Sequence, residues 1–249
     1  MREGTALALL FPLAFTAALI AYSPLPWTMA RMGISGLAVE GQSGSVLAGE
    51  AAKVSIGVLR LERVRWFLEP MQLLAGCWSY RFSWADDRSA GAGTTDACGG
   101  GVFRIRDLRA DVSPEFVVTW LPKPSRVEGS VGVELRKLEV ADAGFHAADG
   151  MLRWQDAAAT VWDRRLILRE PLLIRISGDA GVLVVEITDE GGRGDFAGRL
   201  RLTRGGEVEG ILTVANAIAM QAGDARALAL LGGQPAGQHH RFPVRARLW

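Results

Sequence analysis

Apolar and polar residues alternate with a period of two along most of this chain. Trp78, Tyr80, Phe82 and Trp84 fall on one side of such a segment, and Ser79, Arg81 and Ser83 on the other, as in a β-strand with one covered face. Phe103 and Ile105 alternate with Arg104 and Arg106. Val127, Gly129, Val131, Val133 and Leu135 make a further stripe. Later come Phe196, Gly198, Leu200 and Leu202, then Val208, Gly210, Leu212 and Val214, and a last strand around Phe242, Val244, Ala246 and Leu248. Thr203-Arg204-Gly205-Gly206-Glu207 supplies a hairpin connection, and Gly191-Gly192 follows the apolar strand Val182 to Ile187. A period of two with one polar face predicts antiparallel sheets that bury one side. The expected fold class is therefore mainly β, an antiparallel sheet with few short helices. Whether it is open and curled or packed as a sandwich stays open.

Two segments break that period. Leu68 to Ala75 predicts a short helical turn, and Asp224 to Leu231 a helix capped by Asp224 and stopped by Gly232-Gly233. Pro122-Lys123-Pro124-Ser125 marks a boundary between a β-rich half at 36–121 and another at 127–249. Ser55 to Glu62 echoes Ser130 to Lys137, but the echo is short enough for chance.

Ahead of the strands stands a different pattern. Thr5 to Tyr22 is an uncharged, apolar run just long enough to cross a bilayer as a helix. Pro24 is a poor context for cleavage after Ala21-Tyr22-Ser23, so the run reads as an uncleaved anchor rather than a signal peptide. Residues 1–4 then form a cytoplasmic N-terminus, 5–22 a transmembrane helix and 23–35 a linker, with Trp27 at headgroup level. The expected arrangement is a single pass with the N-terminus inside and the C-terminal domain outside the cytoplasm.

Composition narrows this further. A 249-residue chain with 49% hydrophobic residues can fill a core, and a net charge of +1 gives no field that would draw nucleic acid. Thirty glycines supply the frequent turns of an all-β domain. The two cysteines, Cys77 and Cys98, read as a disulfide if the domain lies outside the cytosol, and as two thiols otherwise.

The chain carries no catalytic constellation that its motifs reveal. The pentapeptide of a nucleophile elbow is missing, and the glycines of Gly192 to Gly198 are wrongly spaced for a dinucleotide site. Arg193-Gly194-Asp195 is an adhesion tripeptide by letter only. His146, His239 and His240 lack Cys or carboxylate partners at ligand spacing, and each reads as a solvated surface histidine. No enzyme, metal or cofactor is expected. The aromatic stripe Trp78-Tyr80-Phe82-Trp84 fits either the buried face of a sheet or a surface for an apolar ligand or partner.

From Gly41 onward the order of signals resembles a known family. Gly44-Ser45-Val46-Leu47-Ala48-Gly49 precedes an apolar strand ending in Trp66. Pro70-Met71-Gln72-Leu73-Leu74-Ala75-Gly76 then leads into Cys77 to Trp84. Gly150 to Trp154 and the closing Leu228 to Gly237, with Leu231 and Gly232, complete the succession. This series is similar to that of type II secretion system protein N, with Leu47 standing where the family usually has Trp. The resemblance implies a bitopic inner-membrane protein with a periplasmic β-domain, an accessory part of a Gram-negative secretion machine. Its implied partners are the bilayer, the inner-membrane platform proteins and the outer-membrane secretin. Similar punctuation occurs in AsmA-like proteins, whose sheets carry lipid, and that implies a lipid-handling alternative.

Overall fold

The computed structural model of the chain describes residues 37–56, 59–98, 101–114, 126–141, 144–161, 164–168, 170–179, 181–192, 196–215 and 233–247. The anchor at Thr5 to Tyr22, the linker at 23–35, the Pro122 to Ser125 segment and the helix at Asp224 to Leu231, with Leu231 and Gly232, lie outside the described residues. Among the described residues no helix is long and apolar enough to cross a membrane.

The chain divides into two compact units, one ending at Asp87 and one beginning at Arg88. In the first, β1 (Leu37–Gly44), β2 (Ala48–Ile56), β3 (Leu59–Leu68) and β4 (Cys77–Ala85) follow one another as an antiparallel meander. A single helical turn, α1 (Pro70–Leu73), links β3 to β4 where Leu68 to Ala75 predicts one. Pro70 fits there because its fixed φ suits the first helical turn and its missing N–H has no partner to lose.

The second unit is a longer antiparallel sheet. It contains β5 (Ser89–Cys98), β6 (Val102–Val112), β7 (Arg126–Ala141), β8 (Gly144–Val161), β9 (Arg164–Ile167), β10 (Leu172–Asp179) and β11 (Val182–Asp189). It continues with β12 (Phe196–Thr203), β13 (Glu207–Ala215), β14 (Gln234–Ala236) and β15 (His239–Arg247). Neighbours in sequence are mostly neighbours in space, but β10 pairs with β8 past the short β9, and β15 lies between β13 and β14. The strands on either side of Pro122 to Ser125, β6 and β7, form one ladder from Phe103↔Val140 to Val112↔Val131. The backbone bonds of that ladder keep them in one unit. β1 in the first unit and β14 in the second pair on one side only among the described residues, so the sheets are open.

The register sorts side chains of the second unit onto two unlike faces. One row runs Ala110, Val133, Leu152, Ile174, Ile187, Gly198, Leu212, Phe242, strand by strand. The next runs Leu108, Leu135, Gly150, Ile176, Val185, Leu200, Gly210, Val244, again without a charge. The rows between them carry the arginines and glutamates. Val112, Val127, Val131, Ala148, Ala157, Leu172 and Leu183 are buried on the apolar face.

Candidate interaction surface

Part of the family-like series owes its place to tryptophan packing. Ser45 N–H donates to Ala48 O at 2.8 Å and closes the β1–β2 turn. Gly44 meets this turn with φ +91°, a conformation that favours glycine. The Trp66 indole N–H donates to the Ser45 carbonyl at 3.0 Å, which lays the ring across Gly49. A Cβ on Gly49 would stand 2.5 Å from Trp66 Cζ2, so only glycine leaves room. In the second unit the Trp154 indole N–H donates to Glu128 O at 3.1 Å beside Gly129. Each unit thus seats a tryptophan over a glycine with its N–H on a turn or bulge carbonyl. Gly150 works differently, since its missing side chain admits Leu135 from the neighbouring strand.

The Pro70 turn is solvent-facing. Leu73 and Leu74 are exposed, and Gly76 ends the turn with φ +74° and its N–H on Leu73 O. Beneath it, Arg81 Nη2 reaches Glu69 Oε1 at 2.6 Å, and the Ser79 hydroxyl donates to Glu69 Oε2 at 3.4 Å. Ser79 is fully buried on the side of β4 that the sequence reads as polar.

The aromatic stripe on the other side of β4 is graded. Trp84 is buried, Tyr80 and Phe82 are half-buried, and Trp78 is exposed. Phe82 and Trp84 stack with ring centroids 6.0 Å apart and planes 13° from parallel. Phe82 is the register partner of Trp66, and Tyr80 that of Leu68, so the stripe continues the seat of the tryptophan. Burial pushes the Tyr80 hydroxyl above its ordinary pKa. Cys77 opens this strand, and Cys98 closes β5 in the second unit.

The charged face of the second unit is laced by ion pairs. Arg106 grips Asp96 through two nitrogens, Nε to Oδ2 at 2.6 Å and Nη2 to Oδ1 at 2.9 Å. Beside it, Arg104 Nε lies 2.5 Å and Lys137 Nζ 3.2 Å from Glu139 Oε1. Burial alone would raise the Glu139 pKa, but the hydrogen bonds and charges of Arg104 and Lys137 outweigh it and hold the carboxyl below its ordinary value. A carboxylate with a depressed pKa contributes stability that is present above the unfolded value of about 4.3 and is lost as pH falls through the folded one. Urea midpoints measured across the acid range should therefore drop for the native chain and drop less for Glu139→Gln. An equal acid slope in both would remove Glu139 from this role.

The histidines do not gather. His146 is exposed, whereas His240 is buried at the register partner of Val214, so the reading of His240 as a solvated surface residue is corrected. Its even-numbered position in β15 turns it toward the apolar face. Among the described residues no group of three His, Cys, Asp or Glu could hold a metal. Sequence reading overlooks Arg241, Pro243 and Arg245, although they alternate with the Phe242 and Val244 that it does mark. On the charged face they join Ile211, which is 50% exposed.

A sheet with tryptophan seats, one apolar face and one face of paired charges defines a β-scaffold that offers surfaces and edges. The family model of the type II secretion system (T2SS), protein N, matches residues 35–244, and the chain belongs to that family. Membership makes it a component of type II secretion, a protein-transport machine. Neither the comparison with curated proteins nor that with solved structures returned a match.

Proposed function

We propose that the chain is an accessory component of type II secretion, held at the inner membrane by Thr5 to Tyr22 with its β-domain in the periplasm. It contributes to export through protein–protein contacts with the inner-membrane platform and the outer-membrane secretin, and it catalyses nothing. The observation that carries this reading is the match to the secretion family over residues 35–244. Open strand edges and a charged sheet face support it, because both are means by which β-domains dock other chains. A Cys77–Cys98 bridge belongs to the same proposal, since it needs an oxidising compartment.

The half-exposed apolar rows through Leu152, Ile174 and Leu212 favour a second reading, an AsmA-like module that handles lipid. Deleting the gene and measuring export of type II cargo separates the two. Reduced cargo in the medium with unchanged lipid composition of the envelope supports the secretion role, and altered lipid with normal export supports the other. A periplasm-only reporter fused after Trp249 should be active. An inactive fusion would overturn the orientation.

A further inference from the structure

The edge of the second unit at β15 has the makings of a selective docking strand. β14 covers β15 only from His239 to Arg241, where Ala236 pairs with His239 and Gln234 with Arg241. Among the described residues nothing pairs with the outer side of β15 from Phe242 to Arg247, a stretch of about 20 Å. Gly237 and Gln238 form a two-residue turn, so Ala236 and His239 make the closing hydrogen-bonded pair and His239 turns its backbone groups outward. Alternation then points those of Arg241, Pro243 and Arg245 outward too. Pro243 sits where its missing N–H costs the β13 ladder nothing, as prolines on edge strands do. The Pro243 carbonyl and both backbone groups of Arg245 face a lane that no described strand fills.

The charge pattern says what belongs there. On the polar face the cross-strand rows alternate in sign: Arg175, Glu186, Arg199 in one, and Arg201, Glu209, Arg245 in the next. Opposite charges directly across strands stabilise a sheet, and like charges oppose it. The second row ends on Arg245, an exposed cation, and neither Arg245 nor Arg201 forms an ion pair among the described residues. Val182, Val184 and Ile211 floor a concavity of about 670 Å³ that these two arginines help to line. On the other face, Phe242 and Val244 end the apolar rows half-exposed. A second copy of β15 in the lane would bring arginine against arginine, so the edge discourages self-pairing.

We propose that the outer edge of β15 receives an extended segment of a partner protein in which acidic and apolar residues alternate. The acid lies opposite Arg245 and continues the sign alternation, while the apolar residues extend the rows of Phe242 and Val244. The inference rests on the reading that this protein works through protein contacts, and it names the partner's chemistry and the strand that takes it.

The test uses the full chain in phosphatidylcholine nanodiscs and fluorescently labelled synthetic peptides read by anisotropy. A peptide alternating glutamate and valine should bind at least about tenfold more tightly than one alternating lysine and valine. Methylating the backbone nitrogens along one edge of the glutamate peptide should abolish binding if a ladder forms. Arg245→Glu should reverse the preference, binding the lysine peptide better, which a merely unfolded variant cannot do. Equal binding of both peptides, or an unchanged preference in Arg245→Glu, overturns the proposal. Displacement of the peptides by phosphatidylglycerol vesicles without charge discrimination assigns the arginines to a membrane surface and overturns it equally. If a secretion subunit is captured equally well by Arg245→Glu, this edge is wrong and the secretion reading stands. Charge-selective peptide binding with no secretion subunit captured upholds the edge and contradicts the secretion reading.

Discussion

Gly129→Ala should destabilise the second unit by about 3 kcal/mol or more, the largest effect expected of any single methyl group here. Gly129 has φ +114°, outside the range that side chains tolerate. An added Cβ would meet Gln155 O at 2.3 Å, Asp156 O at 2.8 Å and Trp154 Nε1 at 2.9 Å. Two of the three are backbone atoms of the paired strand, so the ladder itself must shift and the Trp154 hydrogen bond to Glu128 must break with it. Gly192 makes the control. It too has positive φ, +65°, but a Cβ there has nothing within 4 Å, so Gly192→Ala should cost only about 1 kcal/mol. Urea unfolding followed by indole fluorescence measures both. Equal costs at the two positions would show that backbone conformation, and not the tryptophan seat, sets the requirement.

Breaking the proposed Cys77–Cys98 bridge comes next. Closing a loop of roughly 20 residues removes about 3 kcal/mol of unfolded-chain freedom in the entropy account. Cys77→Ser, Cys98→Ser and the double variant should therefore lose similar amounts, because a second removal has no bond left to break. Reductant should bring the native chain to the same midpoint. Non-reducing electrophoresis of protein taken from membranes should show the faster, bridged form. Thiols that alkylate without reductant, with stability unchanged in the variants, would contradict both the bridge and the compartment it implies.

Much of this architecture was legible in the alternation. The strands around Trp78 to Trp84, Val127 to Leu135, Phe196 to Leu202 and Val208 to Val214 stand where period two places them, because each strand lies on a sheet with one apolar face. The turn at Pro70 was legible for the same kind of reason, a fixed φ beside a run of helix formers. The bulges were not legible strand by strand, yet their signal is present as a three-residue step in the pattern. Leu61 to Val64, Ile105 to Leu108 and Trp154 to Ala157 each skip one residue more than a flat strand allows. Arg63, Asp107 and Asp156, the residues just before the second member of each step, have φ of 48°, 50° and 49°. A bulge there restores the apolar residues to one face, at the cost of a left-handed non-glycine backbone.

The motif residues were legible as a series but not in their roles. Gly49 and Trp66 act as seat and rider, whereas Leu73 and Leu74 are exposed and hold no core. The fully buried Ser79 was hidden because a hydroxyl on the polar side of a strand ordinarily faces water, and Glu69 with the Pro70 turn covers it instead. The charged rows could not be found from one strand at a time. Sign alternation across Arg201, Glu209 and Arg245 exists only once the register is known.

The central claim is that this β-domain serves type II secretion through contacts with other proteins of the machine. Affinity purification of the tagged full chain from membranes, with its companions identified by mass spectrometry, tests it most directly. The account predicts recovery of an inner-membrane platform subunit or the secretin. Recovery of phospholipid with no secretion protein would contradict it.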